Sequence, residues 1–106
     1  MLEDIIDSLK NIENFTTGMT FEMYQYDLKT KQAVEPHFEI IGEAVARLPE
    51  FYKNLHPHIE WRVIKDFRNF MVHEYFGIDH QIVWDTILYK LPDLQRAIVT
   101  LLTEFK

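Results

Sequence analysis

The stretch that decides the fold is EWRVIKDFRNFMVHEYFG, residues 60–77. Apolar residues recur through it at spacings of three and four, which is typical of a helix with one side in a protein core. A helix is therefore predicted over 60–76, and Gly77 fits the left-handed position that ends a helix. Four polar side chains of different chemistry lie inside this apolar run: Arg68, Asn69, His73 and Tyr75. Together these groups can hold a phosphate and move protons.

The helical wheel separates these groups. At about 100° per residue, Arg68 falls inside the apolar arc near Tyr75, and a guanidinium buried there needs an acceptor or a route to water. Asn69 and His73 are neighbours on the polar arc, with His73 roughly 140° from Arg68. One ideal helix therefore cannot direct Arg68 and His73 at one point. Either long side chains reach round a groove edge, or a second copy completes the site about a two-fold axis.

The rest of the chain is also predicted to be helical. The 106 residues predict one domain, 1–106, and three glycines with four prolines are too few turn residues for a β-sandwich. Thr20, Asp27 and Asp79 are predicted helix caps, and Pro92 either starts a new helix or kinks a continuing one. The expected helices lie at 2–15, 21–26, 28–48, 49–55, 60–76 and after residue 79. This pattern predicts an all-α, antiparallel bundle of four to five helices.

Composition excludes several classes of protein. Cysteine is absent, which removes disulfide frameworks and thiolate metal sites and suits a reducing cytoplasm. The acidic, amphipathic start of the chain is unlike a signal peptide, and no apolar run is long enough to cross a membrane. The formal net charge of −6 argues against broad, non-specific binding of nucleic acid, so any contact with RNA must be local.

Each polar residue also has a simpler interpretation. Arg68 could form a structural ion pair with Glu43, and Tyr75 could be a core aromatic residue with its hydroxyl at the edge. Glu39 and Glu43 lack the Glu-x-x-His partners of a di-iron bundle. The histidines at 56, 58 and 80 lack thiolates and a fixed metal-binding spacing, so no metal site and no cofactor are predicted.

The spacing Arg68-x4-His73-x-Tyr75 resembles the Arg-x4-His-x-Tyr motif of the HepT-like toxins, a branch of the HEPN superfamily. The segment Ile40-Ile41-Gly42-Glu43-Ala44 resembles an "IIGEA" block of that family. The motif's flanks, Glu60-Trp61-Arg62 before it and residues 75–79 with Val83-Trp84 after it, are also similar to the family pattern. Two positions depart from it: Pro36 stands where a basic residue is common, and Glu60 stands where proline is usual.

The resemblance implies a specific function. The family fold is an antiparallel helical bundle that forms a homodimer, with both copies of the motif lining one composite cleft. The implied activity is metal-independent RNA cleavage, with Arg68, His73 and Asn69 as catalytic residues. The implied partner is a minimal nucleotidyltransferase antitoxin, which in some members transfers AMP onto the tyrosine that corresponds to Tyr75. The alternative is a non-catalytic dimeric subunit that binds the nucleotidyltransferase and is modified by it.

Overall fold

The computed structural model describes residues 1–67, 77 and 79–105, and the side chain of residue 105 is not part of that description. All the regular structure in this part of the chain is helical, so the prediction of an all-α bundle is confirmed. The elements are α1 Leu2–Thr16, α2 Phe21–Tyr26, α3 Leu28–Arg47, α4 Glu50–Asn54, α5 Trp61–Lys65, α6 His80–Asp85, a π-helical turn Thr86–Lys90, and α7 Leu91–Phe105.

Side-chain caps fix where the early helices begin, as the sequence predicts. The hydroxyl of Thr20 accepts a hydrogen bond from the backbone N–H of Met23 at 3.2 Å, which starts α2. Asp27 Oδ1 accepts from the backbone N–H of Thr30 at 3.0 Å, and Oδ2 accepts from the Thr30 hydroxyl at 2.8 Å. A cap of this kind satisfies backbone donors that have no partner inside the helix.

The core forms around α3, the longest helix. Its apolar seam, in which residues recur at alternating spacings of four and three, is buried throughout: Val34, Phe38, Ile41, Val45 and Leu48. This seam packs against α1, which also contacts α7. The facing residues of these two helices are buried as well: Ile5, Leu9, Ile12, Leu94, Ile98 and Leu101. Burying a large aliphatic or aromatic side chain contributes roughly 1.5–3 kcal/mol, so this three-helix contact supplies much of the stability.

The helix predicted over 60–76 is interrupted at Asp66. Regular α-helix ends at Lys65, and Asp66 lies in a turn with ψ −4°. Its backbone N–H is shared between the carbonyls of Arg62 and Val63, each at 3.2 Å, which is the tightening seen where helices end. The prediction of one regular helix is therefore wrong at this point. A single helical wheel cannot relate residues before Asp66 to those after it.

Pro92 neither starts a separate helix nor breaks one. The chain passes from α6 through the π-helical turn directly into α7, in which Pro92 is the second residue. In the π turn the N–H of Leu91 reaches back five residues to the carbonyl of Thr86. The proline has no N–H to offer a regular ladder. The wider turn before it lets the chain continue in helical form.

Among the helices that the structure describes, none combines the length and apolar character needed to span a bilayer.

Candidate functional site

The four residues predicted to form the site, Arg68, Asn69, His73 and Tyr75, lie outside the described residues. Their roles therefore remain predictions, as does the suggested ion pair between Arg68 and Glu43. The structure does describe the residues on both sides of the segment 68–76. These flanking residues show how the candidate site is attached to the bundle.

The N-terminal attachment is an aromatic pair in the core. Phe67 is 6% exposed, and its ring meets that of Phe38 with centroids 5.1 Å apart and planes at 61°. Phe38 belongs to the buried seam of α3 and is 1% exposed. Phe67 is the last described residue before the segment 68–76, so the chain enters that segment directly from this buried pair.

The indole of Trp61 fixes the start of α5. Its Nε1 donates to the carbonyl of Lys53 at 3.1 Å and to that of His56 at 3.0 Å. Both carbonyls belong to the end of α4 and the connection after it, where regular hydrogen bonding stops. The same carbonyls also accept from the backbone N–H groups of His56 and Ile59, so the indole adds a further donor to each. These hydrogen bonds link α5, which precedes the candidate site in the chain, to the connection after α4.

The C-terminal attachment combines a glycine and a cap, both predicted from the sequence. Gly77 has φ +78°, the left-handed conformation that glycine adopts without steric cost. Asp79 Oδ1 then accepts from the N–H groups of Gln81 at 3.0 Å and Ile82 at 3.3 Å, which starts α6. The segment 68–76 is therefore held between a buried aromatic pair and a capped helix.

A groove of about 220 Å³ lies between α5 and α6, and we call it the α5–α6 groove. Its lining side chains come from α3, α5, Asp66, Phe67, α6 and the π turn: Phe38, Val63, Asp66, Phe67, Ile82, Val83, Thr86 and Lys90. Val63 and Ile82 are 39% and 50% exposed, although both are fully apolar. The sequence did not predict this groove, because Val63 belongs to the apolar residues of the stretch 60–77, which were predicted to lie on the core side of a helix. Two features of the sequence could have indicated the groove. Asp66 is a charged residue within an apolar run, and Ile82 lies beside the face of α6 that packs into the core, not on it.

His80, the first residue of α6, packs against a buried tyrosine. Its ring lies 6.4 Å from that of Tyr24, at a steep angle of 72°. Within the described part of the chain, neither the buried hydroxyl of Tyr24 nor the buried Nδ1 of His80 has a hydrogen-bonding partner. Burial lowers the pKa of His80, the positive charge of Lys31 lowers it further, and Asp79 partly opposes this. Burial, and then the negative charge of Glu35, raises the pKa of Tyr24 above its usual range.

Two further histidines, His56 and His58, form a separate pair. The rings of His56 and His58 lie 5.8 Å apart across Pro57. Across residues 1–67 and 79–105, no three histidine, aspartate or glutamate side chains are grouped so that they could hold a metal ion.

Comparison with known proteins agrees with the motif. The family model described as "Ribonuclease HepT-like" matches residues 5–101. "Putative RNase MJ0127" of Methanocaldococcus jannaschii is 41% identical over 92 residues, which cover 87% of this chain and 76% of that protein. "Probable ribonuclease HepT" of Thermococcus cleftensis is 42% identical over 94 residues, which cover 89% of this chain and 86% of that protein.

A third relative extends the similarity over nearly the whole chain. "Putative RNase TTE0752" of Caldanaerobacter subterraneus subsp. tengcongensis is 33% identical over 105 residues, which cover 99% of this chain and 94% of that protein. No solved structure gives a significant match. The family model and the ribonuclease names of the relatives confirm the resemblance found in the sequence and the prediction of an RNA-cleaving enzyme. The chain belongs to the HepT-like ribonuclease family.

Proposed function

We propose that this protein is a metal-independent endoribonuclease toxin that cleaves cytoplasmic RNA at a cleft shared by two copies of the chain. One observation carries the proposal: a chain of the HepT-like ribonuclease family contains the sequence Arg68-x4-His73-x-Tyr75. The way this segment is attached supports it. Phe67 and Gly77, at its two ends, adjoin packed or capped helices, and a site supported by rigid elements holds its groups in a defined geometry.

The proposed reaction uses a nucleophile that RNA itself provides. His73 of one protomer takes the proton of the 2′-hydroxyl, and the 2′-oxygen forms a bond to the adjacent phosphorus. The bond from phosphorus to the 5′-oxygen breaks, and that oxygen receives a proton from water. The products are a 2′,3′-cyclic phosphate and a 5′-hydroxyl. The reaction needs no nucleophile from the protein.

Arg68 and Asn69 act on the phosphate in this mechanism. The guanidinium of Arg68 stabilises the negative charge that grows on the phosphorus oxygens, and its paired donors suit a phosphate. Asn69 orients either the phosphate or the imidazole of His73. The wheel places Arg68 and His73 on different sides of one ideal helix, so two protomers are needed to bring both groups to one phosphate.

The same site offers a means of control. A minimal nucleotidyltransferase antitoxin would transfer AMP from ATP to the hydroxyl of Tyr75, with release of pyrophosphate and the hydroxyl proton, and so place a phosphodiester anion and a purine beside Arg68. The added group would occupy the cleft and neutralise its positive charge. The toxin is then inactive while the modification remains.

One observation favours the alternative, a non-catalytic subunit that binds the nucleotidyltransferase. The net charge of −6 gives no long-range attraction for RNA. The two functions differ in a measurable way, since only the first predicts cleavage by the purified protein alone.

The decisive experiment incubates the purified protein with RNA in the presence of a chelator and compares wild type with Arg68→Ala and His73→Ala. We expect the wild type to release 2′,3′-cyclic phosphate ends and both variants to lose most of the activity. Matched controls are Arg62→Ala and His58→Ala, which change exposed residues of the same types. Cleavage that persists unchanged in His73→Ala would refute the mechanism.

A second experiment tests the control of the toxin. The protein is incubated with the nucleotidyltransferase and ATP, and its intact mass is measured. We expect a mass increase of one AMP group in wild type and in Tyr89→Phe, a control at an exposed tyrosine, and none in Tyr75→Phe. An increase that survives in Tyr75→Phe would rule out this acceptor.

A further inference from the structure

The α5–α6 groove has the size of a site for one small planar group. Its volume of about 220 Å³ is below the roughly 300 Å³ at which pockets for drug-sized molecules begin. The floor contains Phe38 and Phe67, while Val63 and Ile82 stand exposed at the sides. Proteins that read single-stranded RNA hold unstacked bases against such apolar and aromatic surfaces. The shape and lining of the groove therefore suit a nucleobase.

The two charged side chains of the groove narrow the choice of base. Asp66 offers carboxylate oxygens, which accept hydrogen bonds, and Lys90 offers an ammonium, which only donates them. The pairing edge of guanine presents two neighbouring donors, N1–H and the N2 amino group, beside the acceptor O6. Adenine and cytosine each present one amino donor on that edge, and uracil presents one N–H between two carbonyls. Guanine alone can give two parallel hydrogen bonds to one carboxylate.

Lys90 is available for such a contact. Its Nζ lies 3.6 Å from a carboxylate oxygen of Glu60, and both side chains are partly exposed. Exposed ion pairs of this kind are weak, so the ammonium can turn towards a ligand at little cost. It then faces the acceptor O6 while Asp66 takes the two donors.

The groove also adjoins the proposed catalytic segment. Asp66 and Phe67 both line the groove and directly precede Arg68 in the chain. A nucleotide whose base lies in the groove is therefore held next to the start of the proposed catalytic segment.

We propose that the α5–α6 groove binds a single unstacked guanine of the RNA strand and so sets which phosphate is presented to Arg68. This assignment rests on the proposed ribonuclease function, but base binding itself is measurable without cleavage. It gives an acidic protein a local means of holding RNA, through the recognition of one base rather than a broad positive surface.

The binding experiment follows the methyl resonances of Val63 and Ile82 by NMR in the full chain. The protein is titrated separately with the 5′-monophosphates of guanosine, adenosine, cytidine and uridine. We expect the guanosine nucleotide alone to shift both residues and to bind about tenfold less tightly to Asp66→Asn, since a charge-assisted hydrogen bond is lost. The matched control is Asp85→Asn, an exposed aspartate of α6 that does not line the groove. Equal shifts with all four nucleotides, or none with any, would overturn the proposal.

The methyl resonances of Val63 and Ile82 also show whether a second copy of the chain, rather than a nucleotide, occupies the groove. If a second copy of the chain covers the groove, Val63 and Ile82 will shift when the protein is diluted and will not respond to the guanosine nucleotide. That result would also overturn the proposal, because the groove would then be part of a protein interface.

The cleavage experiment separates this inference from the proposed function. RNA of random sequence is digested, and the new ends are sequenced. We expect wild type and Asp85→Asn to show guanine enriched at one fixed position beside the cut, and Asp66→Asn to cut with that enrichment lost. Cutting without any base preference would refute the guanine site while leaving the ribonuclease function intact. Binding of the guanosine nucleotide without any cleavage would support the site and refute the function.

Discussion

The ring of Phe38 on α3 meets the ring of Phe67 nearly edge-on, with centroids 5.1 Å apart and planes at 61°. This contact joins the buried seam of the longest helix to the residue immediately before Arg68. The core and the chain immediately before the proposed catalytic arginine therefore share one pair of rings.

The first prediction concerns this pair. Phe38→Leu keeps an apolar side chain but removes the aromatic contact and leaves a small void. We expect the free energy of unfolding to fall by about 1–2 kcal/mol, measured by urea denaturation. RNA cleavage, measured where the variant is fully folded, should fall as well because the backbone of Arg68 loses its fixed support.

The matched control is Phe51→Leu, the same substitution at a side chain that is 57% exposed. We expect it to change stability by no more than about 0.5 kcal/mol and to leave cleavage unchanged. If Phe38→Leu lost stability but cleaved RNA like the wild type, the aromatic pair would not position the site.

The second prediction uses two glycines with nearly identical conformations. Gly18 and Gly77 have φ +79° and +78°, and an added Cβ would meet no atom within 4 Å at either position. Each change to alanine should therefore cost about 1–2 kcal/mol from backbone conformation alone. Only Gly77→Ala should also reduce RNA cleavage, since Gly77 closely follows the proposed site and Gly18 lies in the turn after α1. Equal activity in the two variants, each assayed well below its unfolding transition, would argue against a role for the Gly77 turn.

The third prediction tests the cap of α6. Asp79→Ala removes an acceptor for two backbone N–H groups and should lower stability by about 1 kcal/mol, whereas Asp79→Asn keeps an acceptor and should cost less. Urea denaturation of the two variants measures the difference. A loss as large in Asp79→Asn as in Asp79→Ala would assign the effect to charge rather than to capping.

Local signals in the sequence correctly predicted where three of the helices begin. Thr20, Asp27 and Asp79 cap helices because their side chains meet backbone donors two or three residues away, a relationship contained within a few positions of sequence. The core seam of α3 followed from its periodicity for the same reason.

The errors lie where structure depends on more distant contacts. The turn at Asp66 interrupts a run that continues to look helical in apolar periodicity, so the sequence pattern did not reveal it. The π-helical turn before Pro92 is made by a hydrogen bond from the N–H of Leu91 to the carbonyl of Thr86, which the apolar spacing did not reveal. The α5–α6 groove arises from the approach of two helices that are distant in sequence, and no local pattern encodes it.

The fourth prediction concerns the shared cleft. If Arg68 and His73 act from different protomers, inactive Arg68→Ala and inactive His73→Ala proteins should regain part of the activity when they are unfolded together and refolded as mixed dimers. A mixed dimer contains one site with both groups intact, so about a quarter of the wild-type activity is expected when the two chains combine at random. Light scattering checks that dimers form. Refolded mixtures that remain inactive would show that both groups act from one chain.

The last prediction is a dependence of stability on pH that comes from His80. Burial lowers the pKa of this histidine in the folded protein, with Lys31 adding to the effect and Asp79 partly opposing it. The unfolded chain has a histidine pKa near the usual value of about 6.5 and so binds a proton at a pH where the folded protein does not. Stability should therefore fall as the pH drops below about 6.5, until the pH passes the folded pKa, where the loss stops.

Urea denaturation of wild type and His80→Gln between about pH 5.5 and 8 measures this contribution, since most carboxylates titrate below that range. We expect the stability of wild type relative to His80→Gln to decrease as the pH falls and to be constant above about pH 7.5. The matched control is His58→Gln, which changes an exposed histidine and keeps His80. A constant difference across the whole range would mean that His80 has the same proton affinity in the folded and unfolded states. The environment of its ring against Tyr24 would then not hold it neutral.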